Sequence, residues 1–304
     1  MTTTHHALAP EDRAPRAAFR ALVGAAPRVQ FVPAARPMFD ELMGHTPAAP
    51  GVSYEEARVG GVLGWWCRPA NALPEAAVVY LHGGAYVLGS AIAFRNFVGQ
   101  VAARAGAAAF VGDYRRAPEH GFPGAVEDAL AVYAGVAASG ATRIAIAGDS
   151  AGGGLALVLL AHASKQRDGT RPRGAAVMSP WTDLALTGAS LQTRAAADPL
   201  LDAEALATGA RQYLGDHDPR DPRASPLHGD LAGLPPVRIH VGEDEVLLDD
   251  AVRYGEAVRA AGGTCEVHSW EGMAHVFPSA LGTFAASELA LADLGGFLRA
   301  CLAG

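Results

Sequence analysis

Residues 142–161 read TRIAIAGDSAGGGLALVLLA, and they join an apolar strand pattern to an apolar helix pattern through a glycine-rich turn. Gly148 to Gly152 form a Gly-x-Ser-x-Gly pentapeptide with Ser150 at its centre. A serine on a tight strand-to-helix turn presents its hydroxyl at the end of a sheet. The small flanking residues suit a turn in which strand and helix backbones approach closely. The stretch therefore predicts an α/β protein with Ser150 as a candidate nucleophile.

Short apolar runs alternate with helical patterns on both sides of this stretch. Residues 52–59 and 62–68 flank a Gly-Gly pair, which predicts an antiparallel hairpin at one edge of a sheet. The later runs are nearly continuous in apolar residues, as is typical of parallel strands covered on both faces. They are residues 76–81, 107–114, 142–148, 174–179, 237–242 and 265–270. Helical patterns at residues 94–102, 251–261 and 283–301 alternate with them, which predicts a mostly parallel sheet with right-handed crossovers.

Two stretches interrupt this alternation. Residues 1–50 are rich in alanine and proline, and residues 180–236 carry a helix pattern near 202–214 and a loop dense in Asp and Pro. A long insertion between strands usually lies over the carboxyl end of the sheet, where ligands bind. We predict that residues 1–50 form an N-terminal cap segment and that residues 180–236 add a cap insertion to a catalytic domain of residues 51–304. The pair His5 and His6 is expected to belong to a frayed chain end.

Composition excludes several classes of protein. Of 304 residues, 50% are hydrophobic and 18% are charged, which allows a large core and argues against a disordered chain or a coiled coil. The net charge of −7 without a basic block makes nucleic acid an unexpected partner. The longest aliphatic run, residues 155–161, is far shorter than the roughly 20 residues of a membrane span.

The cysteines and the N-terminus bear on the compartment. Cys67, Cys265 and Cys301 lack metal-ligand spacing, so neither a disulfide framework nor a structural zinc site is expected. The first residues lack the basic and apolar regions of a secretory signal. We therefore expect a cytoplasmic protein.

A second glycine motif lies upstream of the nucleophile turn. His82-Gly83-Gly84-Ala85 follows the strand pattern of residues 76–81, and its two glycines allow backbone N–H groups to point into a cleft. The amide of Ala151, at the start of the helix, points the same way. The amides of Gly83, Gly84 and Ala151 are therefore predicted to form an oxyanion hole.

A serine nucleophile needs a histidine base, and that base needs a carboxylate. His275 lies in a loop directly after the last predicted strand and is the best placed of the 11 histidines. Asp244 follows the strand at residues 237–242 at the same end of the sheet and is the first choice for the acid. Glu243 and Glu245 remain open as rivals. Two further rivals, Asp249 and Asp250, match the acidic start of the following helix.

Five motifs in this order resemble the hormone-sensitive-lipase-like family of bacterial α/β-hydrolase esterases. They are HGGA (82–85), YRRAPEH (114–120), GDSAGG (148–153), SPWTDL (179–184) and GMAHVF (272–277). The resemblance implies an α/β-hydrolase fold with an eight-stranded sheet and a helical cap, and it assigns Ser150, Asp244 and His275 as nucleophile, acid and base. Two positions differ from the family pattern: Ala85 stands where a third glycine is common, and Asp244-Glu245-Val246 stands where Asp-Pro-Leu is common.

The function implied is hydrolysis of short-chain acyl esters through an acyl-enzyme, with a small-molecule ester as substrate and without metal or organic cofactor. A lactonase or an N-acyl deacetylase using the same triad is the alternative, and a non-catalytic ligand-binding homologue is a third reading. The resemblance also makes a homodimer reasonable. Side chains that are expected to line an acyl or alcohol pocket are Tyr86, Phe94, Trp181, Leu184 and Phe277.

Overall fold

The computed structural model describes residues 3–25, 28, 30–166 and 169–304. Their strands are β1 (Thr3–His6), β2 (Val52–Val59), β3 (Val62–Pro69), β4 (Ala76–Leu81), β5 (Ala108–Gly112), β6 (Arg143–Asp149), β7 (Pro172–Met178), β8 (Val237–Gly242) and β9 (Cys265–Trp270). These nine strands form one sheet in the order β1-β9-β8-β7-β6-β4-β5-β3-β2. β3 pairs antiparallel with both β2 and β5, and all other neighbours are parallel.

Helices cover both faces of this sheet. They are α1 (Arg13–Gly24), α2 (Arg36–Gly44), α3 (Ala91–Ala105), α4 (Gly124–Ala138), α5 (Ser150–Ser164), α6 (Ser190–Thr193), α7 (Ala203–Leu214), α8 (Leu248–Ala260) and α9 (Ala285–Ala303). Side chains of α3 and α9 share one core layer with the sheet, and those of α4, α5 and α8 share the other. The α/β-hydrolase fold, mostly parallel with helices on both faces, is therefore confirmed.

The eight predicted strands are present, and the central ones form because their apolar runs are buried on both faces. All residues of β4 and β5 are buried, and β6 is buried except for its half-buried first residue. The predicted hairpin forms the antiparallel edge of β2 and β3. Gly106 ends α3 with a φ of +64°, a left-handed conformation that glycine adopts without strain.

The expectation of a frayed N-terminus is wrong. β1 is a ninth strand, and it pairs in parallel with β9 along the sheet edge. The His6 ring stacks on Trp270 at a centroid distance of 3.9 Å, and His6 Nε2 lies 2.9 Å from His268 Nδ1. The sequence Thr-Thr-His-His carries no apolar alternation, so these cross-strand contacts hold the strand in place without a local signal.

Among the described residues, no helix is both long and apolar enough to cross a membrane.

The buried carboxylate of Asp12 caps the last helix. Its two oxygens accept the N–H groups of Ala285 at 2.7 Å and Ala286 at 3.0 Å, at the start of α9. We expect Asp12→Ala to lower the free energy of unfolding by about 1–2 kcal/mol, because these two donors lose their acceptor. Urea unfolding measures the change, with the exposed neighbour variant Glu11→Ala as control. Equal stability of both variants and the wild type would contradict this capping role.

Candidate active site

Ser150 lies where β6 ends and α5 begins, at the carboxyl edge of the sheet. Its φ is +54°, a left-handed conformation that a non-glycine residue adopts at a cost, and the residue is 9% exposed. A Cβ on Gly152 would lie 2.2 Å from the carbonyl oxygen of Leu81, so only glycine fits where the helix crosses β4. The turn predicted from the pentapeptide is therefore the turn that the structure contains.

His275 lies beside this hydroxyl, in the loop after β9. Its Nε2 is 2.9 Å from Ser150 Oγ, although the two residues are 125 positions apart in the chain. Its Nδ1 is 2.6 Å from Glu245 Oε2, and the His275 side chain is 10% exposed. One imidazole thus connects a hydroxyl and a carboxylate in a water-poor site.

The carboxylate of Glu245 is held from the opposite side. Its Oε1 accepts the hydroxyl of Ser179 at 2.9 Å and the N–H of Gly242 at 2.8 Å, and the side chain is fully buried. Ser179 Oγ also accepts the N–H of Val276 at 3.0 Å, so its own proton goes to Glu245. Each of its hydrogen-bond partners, Ser179, Gly242 and His275, can donate to the carboxylate, and donors of this kind favour an ionised acid.

Comparison with known proteins gives the family of this arrangement. A family described as having the alpha/beta hydrolase fold matches residues 78–279, which include Ser150, Glu245 and His275. The crystal structure of an esterase from the bacterial hormone-sensitive lipase (HSL) family matches with a TM-score of 0.89 and 35% identity, covering 98% of this chain and 100% of that one. The chain belongs to the hormone-sensitive-lipase-like family of α/β-hydrolases.

Two relatives extend this family likeness over most of the sequence. An acetyl-hydrolase of Streptomyces hygroscopicus is 41% identical over 261 residues, which are 85% of this chain and 86% of that protein. An esterase of Acinetobacter venetianus is 38% identical over 267 residues, which are 87% of this chain and 88% of that protein. The likeness therefore extends over most of this chain and most of each relative.

In this HSL-like hydrolase, the assignment of Asp244 as partner of His275 needs correction. Asp244 Oδ2 instead lies 2.6 Å from Arg16 Nη2 and 3.2 Å from Arg20 Nη1. Successive side chains of a tight turn point in different directions, so Glu245 faces the histidine and Asp244 faces α1. The position of the common Asp-Pro-Leu motif favoured Asp244, and residue order alone does not give these directions.

The three other acidic rivals also have structural partners. Glu243 Oε1 contacts His5 Nδ1 at 3.0 Å, outside the site. Asp249 Oδ2 accepts the N–H of Ser190, and Asp250 Oδ1 accepts the N–H groups of Thr182 and Asp183. As predicted, Asp249 and Asp250 lie in the first turn of α8.

The charges around His275 raise its pKa. Burial acts to lower it, but the hydrogen bond to Glu245 and the negative charge of that carboxylate outweigh burial. Burial raises the pKa of Glu245 itself, and the hydrogen bond from His275 opposes that rise. Burial also raises the pKa of Asp149, the residue before the nucleophile, to about 6.

The oxyanion prediction needs one correction. Gly83 N–H is already donated to Asp149 Oδ1 at 3.1 Å, and the Tyr80 hydroxyl donates to the same oxygen at 2.7 Å. Within the described chain, the next two amides, of Gly84 and Ala85, donate to no protein acceptor. Both residues have positive φ, +119° and +53°, so the loop is bent as an anion-binding turn requires. Gly83 therefore anchors the loop, and Gly84 and Ala85 carry the free donors.

Of the five predicted pocket residues, Tyr86 and Trp181 lie at the site. Trp181 N–H donates to the carbonyl oxygen of Ser150 at 2.9 Å, and Tyr86 directly follows the oxyanion loop. The Tyr86 ring stacks on Tyr213 of α7 at 3.8 Å, a contact that sequence reasoning missed. A Cβ on Gly209 of α7 would lie 3.1 Å from the Ala85 Cβ, so this helix packs directly on the oxyanion loop.

The other three predicted pocket residues have core or insertion contacts and stay untested as pocket residues. Phe94 belongs to the core layer of α3 and α9, where its ring lies 5.2 Å from that of His82. Phe277 packs on Trp270 in a separate cluster. Leu184 is buried, and its N–H donates to Ser225 Oγ in the 180–236 insertion. Aromatic or apolar character beside a strand end does not distinguish pocket from core.

One group of possible metal ligands occurs in the part of the chain that the structure describes: His240, His268 and Asp293. Trp270 Nε1–H donates to His240 Nδ1 at 3.1 Å, and since indole is only a donor, the imidazole proton lies on Nε2. That Nε2–H points at Asp293 Oδ2, 2.9 Å away, which also contacts Arg238. The His240 nitrogens and this carboxylate oxygen are thus engaged by protein donors and acceptors, and we assign the group a structural role.

Proposed function

We propose that this chain is a serine carboxylesterase that acts on short-chain acyl esters. The observation that carries the proposal is the continuous chain of contacts from Ser150 through His275 to Glu245, with distances of 2.9 and 2.6 Å. The relatives named acetyl-hydrolase and esterase support the same reaction class. Ser150, His275 and Glu245 are the proposed nucleophile, base and acid.

The reaction follows from the protonation states that these contacts favour. Nδ1–H of His275 donates to Glu245, which leaves the Nε2 lone pair free for the Ser150 proton. Ser150 Oγ bonds to the ester carbonyl carbon, and the carbonyl π electrons move to its oxygen. When this tetrahedral intermediate collapses, the bond to the alcohol oxygen breaks and His275 returns the proton to the leaving alcohol. The same imidazole then takes a proton from water while the water oxygen bonds to the acyl carbon. When this second intermediate collapses, the bond to Ser150 Oγ breaks, the acid leaves and His275 returns the proton to Ser150.

Negative charge on the carbonyl oxygen needs donors that are already in place. We propose that the amides of Gly84, Ala85 and Ala151 supply them, the last at the N-terminus of α5. Asp149 supports this hole because it fixes the loop through Gly83. Each such donor is typically worth about 3 kcal/mol in the transition state.

The contacts of the 1–50 and 180–236 segments favour a small substrate. Gln212 of α7 donates to the carbonyl oxygen of Phe31, so the two segments meet above the oxyanion loop. We propose that together they form the cap over a catalytic domain of residues 51–304, and that Tyr86 and Trp181 line the substrate pocket. The stack of Tyr86 on Tyr213 places two buried aromatic rings beside the oxyanion loop, which favours a short acyl group over a long one.

A series of p-nitrophenyl esters from acetate to palmitate tests this proposal. We expect acetate and butyrate to be hydrolysed, and kcat/KM to fall at least about tenfold for the long esters, which the cap contacts exclude. Palmitate as the best substrate would refute the short-chain assignment. Silence on all esters, with turnover of lactones or N-acyl amides, would refute the ester assignment.

The raised pKa of His275 predicts how activity depends on pH. The base must be neutral to accept the serine proton. A raised pKa means that half of the His275 side chains are already protonated at a pH above the ordinary value of 6.5. We therefore expect kcat/KM for p-nitrophenyl acetate to fall as pH decreases through a midpoint above that value. Initial rates between about pH 5 and about pH 9 measure this midpoint. Enzyme that is held at each pH and then assayed at about pH 8 controls for irreversible loss of activity. A midpoint well below 6.5 would contradict the Glu245–His275 pairing.

Two further proposals concern the setting of the enzyme. We propose a cytoplasmic location, supported by three free cysteines, two of them buried, and cell fractionation tests it. We also propose a homodimer, supported by the family resemblance and by β1 lying at the outer edge of the sheet. Light scattering on the purified protein distinguishes a dimer from a monomer.

A further inference from the structure

Asp244 joins three separate parts of the chain. Arg16 of α1 contacts Asp244 Oδ2 at 2.6 Å, and its Nε–H donates to the carbonyl oxygen of Gly272 at 2.8 Å. Arg20, one helical turn later, contacts the same carboxylate oxygen at 3.2 Å and donates to the carbonyl oxygen of Ala197 at 2.7 Å. The first helix of the chain is thus fastened to two loops of the site and to the 180–236 insertion.

Each of these contacts lies close to a reacting group. Asp244 directly precedes Glu245, and Gly272 lies in the loop that carries His275. Asp244 N–H also donates to the carbonyl oxygen of Met273 at 3.0 Å, so the acid turn and the histidine loop are already joined by their backbones. Arg16, which lies on α1, adds a second connection between these two loops through its bonds to Asp244 and Gly272.

The insertion holds the same turn from its other end. The buried carboxylate of Asp198 accepts the N–H of Val246 at 2.9 Å, directly after Glu245. Ala197, whose carbonyl oxygen accepts from Arg20, is the residue before Asp198. Asp244 and Val246 therefore flank the acid. Asp244 is held by arginines of the 1–50 segment, and Val246 is held by Asp198 of the 180–236 insertion.

The connection consists of ion pairs between Asp244 and two arginines, Arg16 and Arg20. The Asp244 side chain is 14% exposed and each arginine side chain is 32% exposed, so solvent screens the ion pairs only in part. Arginine can serve a carboxylate and a carbonyl oxygen at once because its donors are arranged in a rigid fork. Removing either partner leaves the other without its counter-charge close to the site.

We propose that Arg16, Asp244 and Arg20 form a clasp whose function is to position the Glu245 carboxylate against His275. The three are positioning residues, because none of them touches the reacting atoms. The inference rests on the proposed esterase function. It predicts that α1 is required for full turnover, and that loosening the clasp alters the base as well as the stability of the fold.

The first test compares Asp244→Asn with the double variant Arg16→Gln/Arg20→Gln. For p-nitrophenyl acetate we expect kcat to fall about tenfold in each, with KM changed less than about twofold, because a small displacement of the acid slows each turnover. Arg13→Gln, an exposed arginine on the same helix, is the matched control and is expected to behave as wild type. If the double variant does not fold, Arg20→Gln alone is expected to lose about threefold.

The second readout is the pH profile, which a purely structural clasp would leave unchanged. His275 is influenced by Glu245, Asp198 and Asp149, and its hydrogen bond to Glu245 depends on the position of the acid turn. A loosened turn weakens that bond, so the acid limb of kcat/KM is expected to move down by about half a pH unit. The combined triple variant is expected to lose no more than the Arg16→Gln/Arg20→Gln parent, since that parent already lacks both ion pairs of Asp244.

Several results would overturn the clasp. A lower Tm with wild-type kcat and an unmoved acid limb of the pH profile would show that the clasp only stabilises the fold. If the kcat losses of the two parent variants multiply in the triple variant, the residues have independent roles. Ser150→Ala, assayed alongside, separates the two proposals. If that variant is inactive and the clasp variants match wild type, only the clasp is refuted; if it is as active as wild type, the esterase proposal itself fails.

Discussion

Ser150→Ala is expected to lower kcat for p-nitrophenyl acetate by at least about 10⁴-fold, because no other hydroxyl of the described residues bonds to the His275 imidazole to form the acyl-enzyme. Alanine has the same Cβ as serine, so the strained φ of +54° is no harder to adopt, and the Tm should stay close to that of wild type. Initial rates and thermal unfolding of the same preparations measure both effects.

A second serine on the same helix provides the control. Ser164 bonds only to the carbonyl oxygen of Leu160 among its described neighbours, so Ser164→Ala is expected to retain full activity. More than about a tenth of wild-type activity in Ser150→Ala, free of contaminating esterase, would be incompatible with the proposed nucleophile.

Glu245→Gln is expected to lower kcat by about 10³- to 10⁴-fold. The amide keeps the volume of the side chain but carries no charge, and its NH₂ group cannot accept the Nδ1–H of His275. The imidazole then loses both its favoured tautomer and the stabilisation of its cationic form. Steady-state kinetics with p-nitrophenyl acetate measure the loss, and far-UV circular dichroism confirms that the variant is folded.

The neighbours of Glu245 provide the comparison that decides the acid. Glu243→Gln is expected to retain near wild-type kcat, since its carboxylate lies outside the site. Asp244→Asn is expected to lose only about tenfold, through the clasp. A larger loss in Asp244→Asn than in Glu245→Gln would restore Asp244 as the acid and contradict the observed geometry.

Much of the fold was predictable because burial on two faces requires long apolar runs. β4 and β5 are buried throughout and read as such in the sequence. β1 was not predictable, because its place depends on His6 meeting Trp270 and His268 at the other end of the chain. The partners of this strand lie 262 to 264 residues away, so no local sequence pattern predicts it.

Part of the site was predictable for a different reason. The nucleophile turn has strict steric needs, which appear as glycines around Ser150, and His275 follows the last strand directly. The choice between Asp244 and Glu245 depends on the direction of side chains in one turn, which composition does not encode. The signal present was the uncommon Asp-Glu-Val at the acid motif, which places a second carboxylate beside the first.

The oxyanion loop shows the same limit. Gly83 and Gly84 are equivalent as sequence, but the Asp149 carboxylate takes the amide of the first. That partner is 66 residues away, and its position follows from the pairing of β4 with β6. Tyr213 was missed in the same way, since its stack on Tyr86 depends on where α7 crosses the loop.

The most direct test of the central claim is to trap the acyl-enzyme and locate it. Wild-type protein is mixed with excess p-nitrophenyl acetate, quenched in acid within milliseconds to seconds, digested and mapped by mass spectrometry, with Ser150→Ala treated identically. The proposed mechanism predicts an acetyl group on the peptide that contains Ser150, assigned to that residue by fragmentation and absent from the variant. Acetyl groups at another residue of the wild type during turnover, or equal labelling of the variant, would contradict it.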